Sequence, residues 1–447
     1  MPDNRSVLIL DDQFHATLNE LESSQDHYFI TGRAGTGKST LLRLWRRTSR
    51  KKMVVLAPTG IAALQAGGQT IHSFFQFPPR IMEAGDFKKS RNRRLICALD
   101  VIVIDEISMV RADMLDNIDR SLRLNRGIDQ PFGGVQMVFF GDLYQLPPVV
   151  AQKEEREYLS FHYETPYFFS AAVWNSGTKI IGIELTKIYR QKEQLFLRLL
   201  EEIRNNTADE ETLEKLNQRY QPHEDLPPHA VTICTLRHLA RSINLRKLLS
   251  LPGNSHVFQA TITGNFSRSA SPAPPELTLK EGAQVMFVKN DPMKRFVNGS
   301  LGIVANISEK EIVVRRIDSK VSSDPASKPS LLSKDNSSGS EDIHLEKHLW
   351  ENIKYSVNPE GKIESEVTGT FEQYPLTLAW AMTIHKSQGM TFDQIIIDMG
   401  HGAFDYGQTY VALSRCTHLE GVFLKRPLKS SDIQTDDQIV DYYRKIF

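Results

Sequence analysis

The chain has 447 residues, 40% of them hydrophobic and 24% charged, and its 54 Lys and Arg balance 54 Asp and Glu. This length predicts two to four domains, and the neutral total gives no sign of a polyanionic partner. The three cysteines form no C-x-x-C pair, which argues against zinc and iron–sulfur centres. No signal peptide or membrane-spanning apolar run is present, so we expect a cytoplasmic protein without a membrane partner.

Two regions alternate short apolar runs with helical patterns, which predicts an α/β fold with parallel sheets. The first region offers strands over 28–31, 54–57, 101–104 and 136–140. The second begins near Ile180 and offers strands over 181–185, 231–234, 394–398 and 421–424. Residues 282–316 instead alternate as β strands around an Asn298-Gly299 turn, which predicts an inserted β module. The Ser- and Asp-rich residues 318–342 predict a mobile loop.

Residues 32–39 read Gly-Arg-Ala-Gly-Thr-Gly-Lys-Ser and match G-x-x-x-x-G-K-[ST] at every fixed position. Backbone N–H groups of such a loop cradle phosphates, and the following helix adds its dipole. Lys38 would contact the β- and γ-phosphates, and the Ser39 hydroxyl would bind Mg²⁺. The predicted cofactors are therefore ATP and Mg²⁺. The nucleotide-binding residues predicted here are Gly32, Ala34, Gly35, Thr36, Gly37, Lys38, Ser39 and Thr40.

Acidic and amide residues follow the next strands. Asp105 and Glu106 come directly after the strand 101–104, where one carboxylate can hold Mg²⁺ while the other activates water. We assign the metal to Asp105 with Ser39, and the water to Glu106. Gln145 follows the strand 136–140 and can sense the γ-phosphate by hydrogen bonding. The alternative for that segment is an ordinary Gly-Asp turn closed by prolines.

Two arginines in the second region, Arg190 and Arg415, are candidates for fingers that stabilise charge on the transferred phosphoryl group. Taken alone, either arginine would more often be a surface or salt-bridge residue than a finger. With these fingers the chain would hydrolyse ATP in a cleft between two domains.

The order of the motifs is itself informative. They are 57–63 (APTGIAA), 70–75 (TIHSFF), 105–109 (DEISM), 131–136 (PFGGVQ), 141–149 (GDLYQLPPV), 383–391 (TIHKSQGMT) and 410–415 (YVALSR). This series resembles the superfamily 1 DNA helicases, specifically compact bacterial members of the PIF (petite integration frequency) family, with the RecD subunit as a more distant relative. The resemblance runs from about residue 13 to residue 424.

The resemblance implies a motor that moves 5′ to 3′ on single-stranded DNA, unwinds forked duplex, and also acts on G-quadruplexes and RNA–DNA hybrids. It would work as a monomer, near the nucleoid if bacterial. Two RecA-like domains are implied, over 1–77 with 95–180 and over 181–298 with 369–447. A wedge subdomain would occupy 78–94, and an SH3-like β barrel 299–368. Gln13 would read adenine, and Gly389 would lie at the nucleotide.

A DNA track is implied across both domains, because phosphates need cations and N–H donors while bases need rings. The implied contacts are Pro58, Thr59, Gly60, His72, Ser73, Phe74, Phe75, His385, Lys386, Ser387 and Gln388. The basic run 88–94 would touch DNA at the fork. Two alternatives stay open: the phenylalanines could form a hydrophobic contact between domains, and His72 could be a structural histidine.

Two other functions compete with the helicase. One is a nucleotide-dependent switch or remodelling ATPase that does not separate strands, and the other is a phosphotransferase to a small metabolite. The Gln388-Gly389 motif together with Arg415 argues against the phosphotransferase, which has one nucleotide domain. Stimulation of ATP turnover by single-stranded DNA would distinguish the helicase from the switch.

Overall fold

The computed structural model describes residues 11–78, 80–150, 152–191, 193–221, 226–266, 271–293, 295–308, 311–317, 342–358 and 363–447. Within these ranges no helix has both the length and the apolar character needed to cross a membrane. The mobile loop predicted over 318–342 lies outside the described residues, except for Asp342, which begins a strand.

The first half of the chain forms a six-stranded parallel sheet flanked by helices on both faces. Its strands are β1 (His27–Gly32), β2 (Met53–Ala57), β3 (Gln69–Thr70), β4 (Val101–Ile104), β5 (Gln136–Phe140) and β6 (Ile180–Leu185). They lie in the order β3-β2-β4-β5-β1-β6, with every pairing parallel. Its helices are α1 (Asp12–Ser23), α2 (Lys38–Thr48), α3 (Gly60–Ala66), α4 (Ile71–Phe75), α5 (Arg93–Ala98), α6 (Ala112–Arg126), α7 (Lys153–His162) and α8 (Ala172–Asn175).

Both faces of this sheet are buried, which explains why its strands read as continuous apolar runs. Along β1, Tyr28 and Ile30 pack into one cluster with Trp45 of α2. Phe29, between them, points to the opposite face and packs into the largest cluster, which also contains Leu115 of α6. The parallel arrangement brings the carboxyl ends of β1, β4 and β5 to one edge, where side chains that follow these strands can meet.

The strand β6 corrects a predicted boundary. Residues 181–185 were expected in the second domain, yet β6 pairs in parallel with β1 along its whole length, with Ile181 opposite Tyr28. Pairing of six residues with β1 fixes β6 in the first sheet, although β6 directly precedes the elements of the second half in the sequence. The first unit therefore extends at least to Leu185.

A β region interrupts the second half. After α9 (Gln194–Arg204), α10 (Glu210–Asn217), β7 (Val231–Cys234) and α11 (Arg237–Ser250), the described residues form ten strands. They are β8 (His256–Gln259), β9 (Thr261–Gly264), β10 (Glu276–Leu279), β11 (Gln284–Phe287), β12 (Leu301–Ile307), β13 (Ile312–Arg316), β14 (Asp342–Leu345), β15 (His348–Val357), β16 (Ile363–Gln373) and β17 (Leu376–Leu378).

These ten strands form three antiparallel sheets, in the orders β14-β13-β12-β11-β17, β15-β16-β9 and β10-β8. The predicted module limits, 299 and 368, are therefore wrong at both ends. Gly299 lies inside the β11–β12 hairpin, with a left-handed φ of 93°. A turn signal marks a local change of direction, whereas the limit of a module depends on which distant strands pair.

The remaining elements complete a second parallel sheet. They are β18 (Ala381–Thr383), α12 (Ile384–Ser387), β19 (Ile395–Asp398), α13 (Gln408–Leu413), β20 (Val422–Leu424) and α14 (Asp437–Ile446). The strand order is β18-β7-β19-β20, again wholly parallel. The predicted α/β class, with two helix-flanked parallel sheets and an inserted β region, is confirmed.

Candidate active site

The glycine loop lies between β1 and α2, and its backbone leaves no room for side chains at two positions. Gly35 and Gly37 have left-handed φ values of 86° and 89°. A Cβ on Gly35 would lie 2.6 Å from the Cβ of Arg190, and one on Gly37 would lie 2.8 Å from the ring of Phe14. The loop therefore packs closely against both neighbours while the N-terminus of α2 faces the site, an arrangement suited to a phosphate.

Lys38 is held across this loop. Its ammonium donates to the carbonyl oxygens of Gly32 at 2.5 Å and Arg33 at 3.1 Å. Burial lowers the pKa of Lys38, while the carboxylates of Asp142 and Glu106 oppose that shift. A buried cation inside a cradle of N–H groups gains most from a bound anion, so the loop fits the phosphates of a nucleotide.

Asp105 and Glu106 stand at the end of β4, as predicted. Burial raises the pKa of Asp105 to about 6 and, together with the charge of Asp105, that of Glu106 to about 7. Glu106 also has left-handed backbone angles, φ 53° and ψ 45°, which are costly for a residue other than glycine. Strain and perturbed carboxyl groups commonly coincide at functional sites.

The donor set suits Mg²⁺. Ser39, in the first turn of α2, and Asp105 supply the hard oxygens that this ion prefers. Among the residues described, no group of three or more His, Cys, Asp or Glu side chains could hold a metal ion. That is consistent with an ion bound by few protein oxygens and completed by nucleotide phosphates and water.

Gln145 follows β5 and connects the two halves of the molecule. Its amide nitrogen donates to Asp142 at 3.2 Å, and its amide oxygen accepts from Gln388 of the second half at 3.4 Å. The side chain is 9% exposed. Gln145 is thus positioned to respond both to the phosphate site and to the loop that carries Gln388.

Arg190 and Arg415 converge on the same cleft. Arg190 donates to the carbonyl of Ser414 at 3.1 Å and packs against Gly35. Arg415 is 1% exposed and donates to Val411, Ser387 and Ser414. Burial and the neighbouring Arg190 lower the pKa of Arg415 to about 9. A buried guanidinium beside a half-buried one favours binding of an anion near both.

The two remaining nucleotide candidates lie at the margin. Gln13 donates to the carbonyl of Glu184 at 2.7 Å and accepts from the N–H of Thr186 at 3.2 Å, so its amide is held by the backbone after β6. Gly389 has a left-handed φ of 75°, and the atom closest to a Cβ built there is Oε1 of Gln65 on α3, at 3.8 Å. Gly389 therefore lies near the C-terminal turn of α3.

The predicted DNA contacts of the first half divide into exposed and buried groups. Thr59 and Ser73 are exposed, and His72, Pro58 and Gly60 are half-buried. Phe74 and Phe75 are 0% and 5% exposed, inside the largest hydrophobic cluster. Burial of both rings contradicts the prediction that they stack on DNA bases. The cluster that holds them includes residues of both halves, such as Leu115 and Val411, so a hydrophobic contact between the halves stays open as the alternative.

In the second half, Lys386 is exposed and His385 and Gln388 are half-buried. Desolvation and the nearby Arg237 lower the pKa of both His385 and Lys386. Ser387 is fully buried, and its hydroxyl donates to the carbonyl of Ile384 at 2.7 Å. The Ser387 hydroxyl is therefore used within α12, and a DNA contact at Ser387 stays a prediction for its backbone.

Sequence reasoning assigned no role to three residues that complete the site. The hydroxyl of Tyr410 accepts the N–H of Ala34 at 3.0 Å and lies 3.5 Å from Asp142. Arg204 of α9 lies 3.8 Å from the same carboxylate. Asp142 and Tyr410 occur in motifs that the sequence shows. A tyrosine within the apolar run 408–413 indicates that its hydroxyl has a hydrogen-bond partner inside the fold. No local pattern distinguishes Arg204.

Comparison with known proteins agrees with this geometry. The family model for PIF1-like helicases matches residues 10–213, and a herpes-type helicase model matches residues 361–445. The chain is 33% identical over 444 residues to the ATP-dependent DNA helicase Pif1 of Bdellovibrio bacteriovorus, covering 96% of this chain and 91% of that protein. It is 33% identical over 408 residues to human PIF1, covering 88% of this chain and 57% of that protein.

Solved structures agree as well. Bacteroides Pif1 in complex with ADP-AlF4 is 38% identical, with a TM-score of 0.87, and covers 98% of this chain and 97% of that chain. Bacteroides Pif1 bound to single-stranded DNA has the same identity and coverage with a TM-score of 0.68. The chain uses ATP and Mg²⁺, acts on DNA, and belongs to the PIF1-like helicase family of ATP-dependent DNA helicases.

Proposed function

We propose that this helicase moves 5′ to 3′ on single-stranded DNA and opens forked duplex by hydrolysing ATP in the cleft between its two parallel sheets. One observation carries the proposal. The first half supplies Lys38, Asp105, Glu106 and Gln145, and the second half supplies Arg190 and Arg415. The packing of Arg190 against Gly35 and the hydrogen bond from Gln388 to Gln145 join the two halves at this cleft. The direction of movement is supported by family membership alone.

Within this cleft each side chain has a separate task. Lys38, Arg190 and Arg415 would offset the charge that develops on the transferred phosphoryl group. Glu106 would accept the proton of the attacking water, a role suited to a carboxyl group whose pKa lies near neutrality. Mg²⁺, held by Ser39 and Asp105, would neutralise phosphate charge when bound.

Gln145 would transmit the state of the nucleotide. Its amide nitrogen has two hydrogens, of which Asp142 takes one, so the other can reach a phosphate oxygen. The same side chain contacts Gln388, which follows the predicted DNA contacts His385 and Lys386. Loss of the phosphate contact after hydrolysis would then be felt at the DNA track. Gln13 would border the adenine of the nucleotide. Gly389 would border the cleft that holds the nucleotide.

The proposed DNA track uses the exposed donors on both halves. Pro58, Thr59 and Gly60 lie at the end of β2, and Thr59 caps α3 with its side chain. His72, Ser73, His385, Lys386 and Gln388 continue the track, and the backbone of Ser387 belongs to it. The exposed cations within 88–94 would contact the fork, as parts of a wedge subdomain. They are Lys88, Lys89, Arg91, Arg93 and Arg94.

Activity on G-quadruplexes and RNA–DNA hybrids, and function as a monomer, belong to the same proposal. A related structure is described as DNA unwinding at forked duplex by two coordinating Pif1 helicases, so the oligomeric state needs its own measurement. Sedimentation with and without DNA would show whether one copy suffices.

An unwinding assay tests the proposal. Matched substrates carry a 5′ tail, a 3′ tail or a fork, and a quadruplex and a hybrid complete the set. We expect unwinding of the 5′-tailed and forked substrates, with ATP turnover raised by single-stranded DNA. Preference for the 3′ tail would overturn the direction. DNA-stimulated turnover without strand separation on any substrate would favour a remodelling ATPase.

A further inference from the structure

Arg204 is a buried arginine outside every recognised motif. It is the last residue of α9 and is 4% exposed. Its guanidinium lies over the ring of Tyr144 at 3.9 Å and over the ring of Tyr443 at 5.1 Å. Planar stacking of this kind is available to arginine and not to lysine.

The guanidinium faces the carboxylate of Asp142, with 3.8 Å between Nη2 and Oδ1. Asp142 is 1% exposed and follows β5 in the first half, whereas α9 packs against α13 in the second half. The pair therefore crosses the cleft. Both charges are withdrawn from water, so removing either would leave the other buried without its counter-charge.

Hydrogen bonding explains only part of the position of Arg204, whose side chain is hydrogen-bonded to Tyr443. Its Nε and Nη2 atoms are buried and have no hydrogen-bond partner among the described residues. The two aromatic rings and the hydrogen bond to Tyr443 hold the group, and what it offers Asp142 is mainly charge. Burial is the main cause that lowers the pKa of Lys38, and the charges of Arg204 and Arg190 lower it further. Arg204 therefore also lies within electrostatic range of the phosphate loop.

Asp142 in turn organises two groups at that loop. It accepts from the amide nitrogen of Gln145 at 3.2 Å and from the hydroxyl of Tyr410 at 3.5 Å. An ionised carboxylate can only accept, so it selects the orientation of the Gln145 amide that turns the NH₂ group toward it. Tyr410 accepts the N–H of Ala34, which extends the same network into the phosphate loop.

We propose that Arg204 is a positioning residue for ATP hydrolysis, holding Asp142 from the second half so that Gln145 and Tyr410 keep one orientation at the phosphate loop. The inference rests on the proposed role of Gln145 as the phosphate sensor. It adds that the second half influences the orientation of Gln145 through Asp142. If the two halves separated, α9 would carry Arg204 away from Asp142, and this carboxylate would lose its counter-charge.

The first test compares Arg204→Met with Arg198→Met on the full chain. Arg198 lies on the same helix, is 54% exposed and pairs with Glu202 at 3.1 Å, so its loss should matter little. For Arg204→Met we expect kcat of DNA-stimulated ATP hydrolysis to fall about tenfold to a hundredfold, the range typical of a displaced catalytic group. The KM for ATP and the Kd for single-stranded DNA should stay within about twofold of wild type.

Arg204→Lys retains the cation but loses the stacked plane, so it should restore part of kcat. A merely structural role would instead raise KM and Kd together with the loss of kcat, and would overturn the inference. Unchanged kcat would overturn it too. If Arg204→Met does not fold, judged by circular dichroism, the isosteric Asp142→Asn replaces it, with the same loss expected.

A double-mutant cycle then tests whether Arg204 acts through Gln145. Gln145→Ala combined with Arg204→Met should lie within about twofold of the more damaged single variant, because both remove the same arrangement. Multiplying losses would overturn the inference. Failure of the proposed function would look different, since Lys38→Ala would then retain DNA-stimulated turnover whatever Arg204 does.

Discussion

The two parallel sheets end in nearly the same turn. At the edge of the first sheet, Thr70-Ile71-His72 leads from β3 into α4, and at the edge of the second, Thr383-Ile384-His385 leads from β18 into α12. Each threonine caps its helix, Thr70 by accepting from Ser73 at 3.2 Å and Thr383 by accepting from Lys386 at 3.3 Å. The local sequence and the local structure agree in both places.

The residues after each turn behave differently. Phe74 is buried in the largest hydrophobic cluster, so His72 and Ser73 are the side chains that this turn presents to a ligand. The second turn presents Lys386 and Gln388, and the latter contacts Gln145. The residues of the nucleotide site are divided between the halves in a similar way. The first half supplies Lys38 and the two carboxylates, and the second half supplies Arg190 and Arg415. In the proposed mechanism, the first half thus holds the nucleotide, and the second half supplies the two arginines and a link to DNA.

The largest effect should come from Lys38→Ala. Removal of the cation from the phosphate loop should reduce ATP turnover to background, because Lys38 is the cation that contacts the loop carbonyls of Gly32 and Arg33 among the described residues. Binding of single-stranded DNA, measured by fluorescence anisotropy, should be retained. Loss of DNA binding as well would show that the loop supports the fold and would remove the division between the halves.

Arg415→Ala should lower kcat by about a thousandfold, the lower end of the range for arginine fingers. Nucleotide affinity, measured by titration with a fluorescent ADP analogue, should change far less, since the second half is assigned to the transition state. An equal loss of affinity and turnover would place Arg415 in ground-state binding instead.

Phe74→Ala separates core packing from DNA contact. Truncating this fully buried ring should cost about 3–5 kcal/mol of unfolding free energy, read from denaturant titration. The Kd for single-stranded DNA should not change once the variant is folded. A selective loss of DNA affinity in a stable variant would restore Phe74 to the DNA track.

The carboxyl pair predicts a pH dependence. Glu106 must be ionised to accept a proton, so kcat/KM for ATP should fall about tenfold per pH unit below about 7. Raising Mg²⁺ should move that midpoint to lower pH, because the cation favours both carboxylates. A flat profile between pH 5.5 and 8 in a steady-state assay would argue against Glu106 as the base.

The free energy of unfolding provides a control for this prediction, because it should fall as pH rises whereas kcat/KM should increase. Raised carboxyl pKa values mean that the folded protein binds protons more tightly, so this pair reduces stability as pH rises from about 4.5 to about 7. Glu106→Gln should therefore stabilise the nucleotide-free protein more at pH 8 than at pH 5.

The smallest effect should come from the two turns themselves. Lys386→Ala should weaken binding of single-stranded DNA several-fold and reduce the salt slope by about 0.7, as expected for one phosphate contact. Ser73→Ala, its counterpart in the first turn, carries no charge and should leave the slope unchanged. Equal slopes for the two variants would mean that the turns contact DNA alike.

Sequence by itself determined what depends on neighbours along the chain. The glycine loop, Asp105 and Glu106 after β4, Gln145 after β5 and both threonine-capped turns all lie where their motifs predicted. Their geometry is local, since glycine conformations, strand ends and helix caps are set within a few residues. The same motifs sufficed to name the family.

Only the tertiary structure decided what depends on distant partners. The strand β6 joined the first sheet through β1, and the β region extended to β17, because strand pairing is settled between residues far apart in sequence. Burial withdrew the Phe74 ring and the Ser387 hydroxyl from the DNA track for the same reason. Arg204 acquired a role from Asp142 and two aromatic rings contributed by other elements. A charge in an amphipathic helix does not reveal which carboxylate the fold will bring beside it.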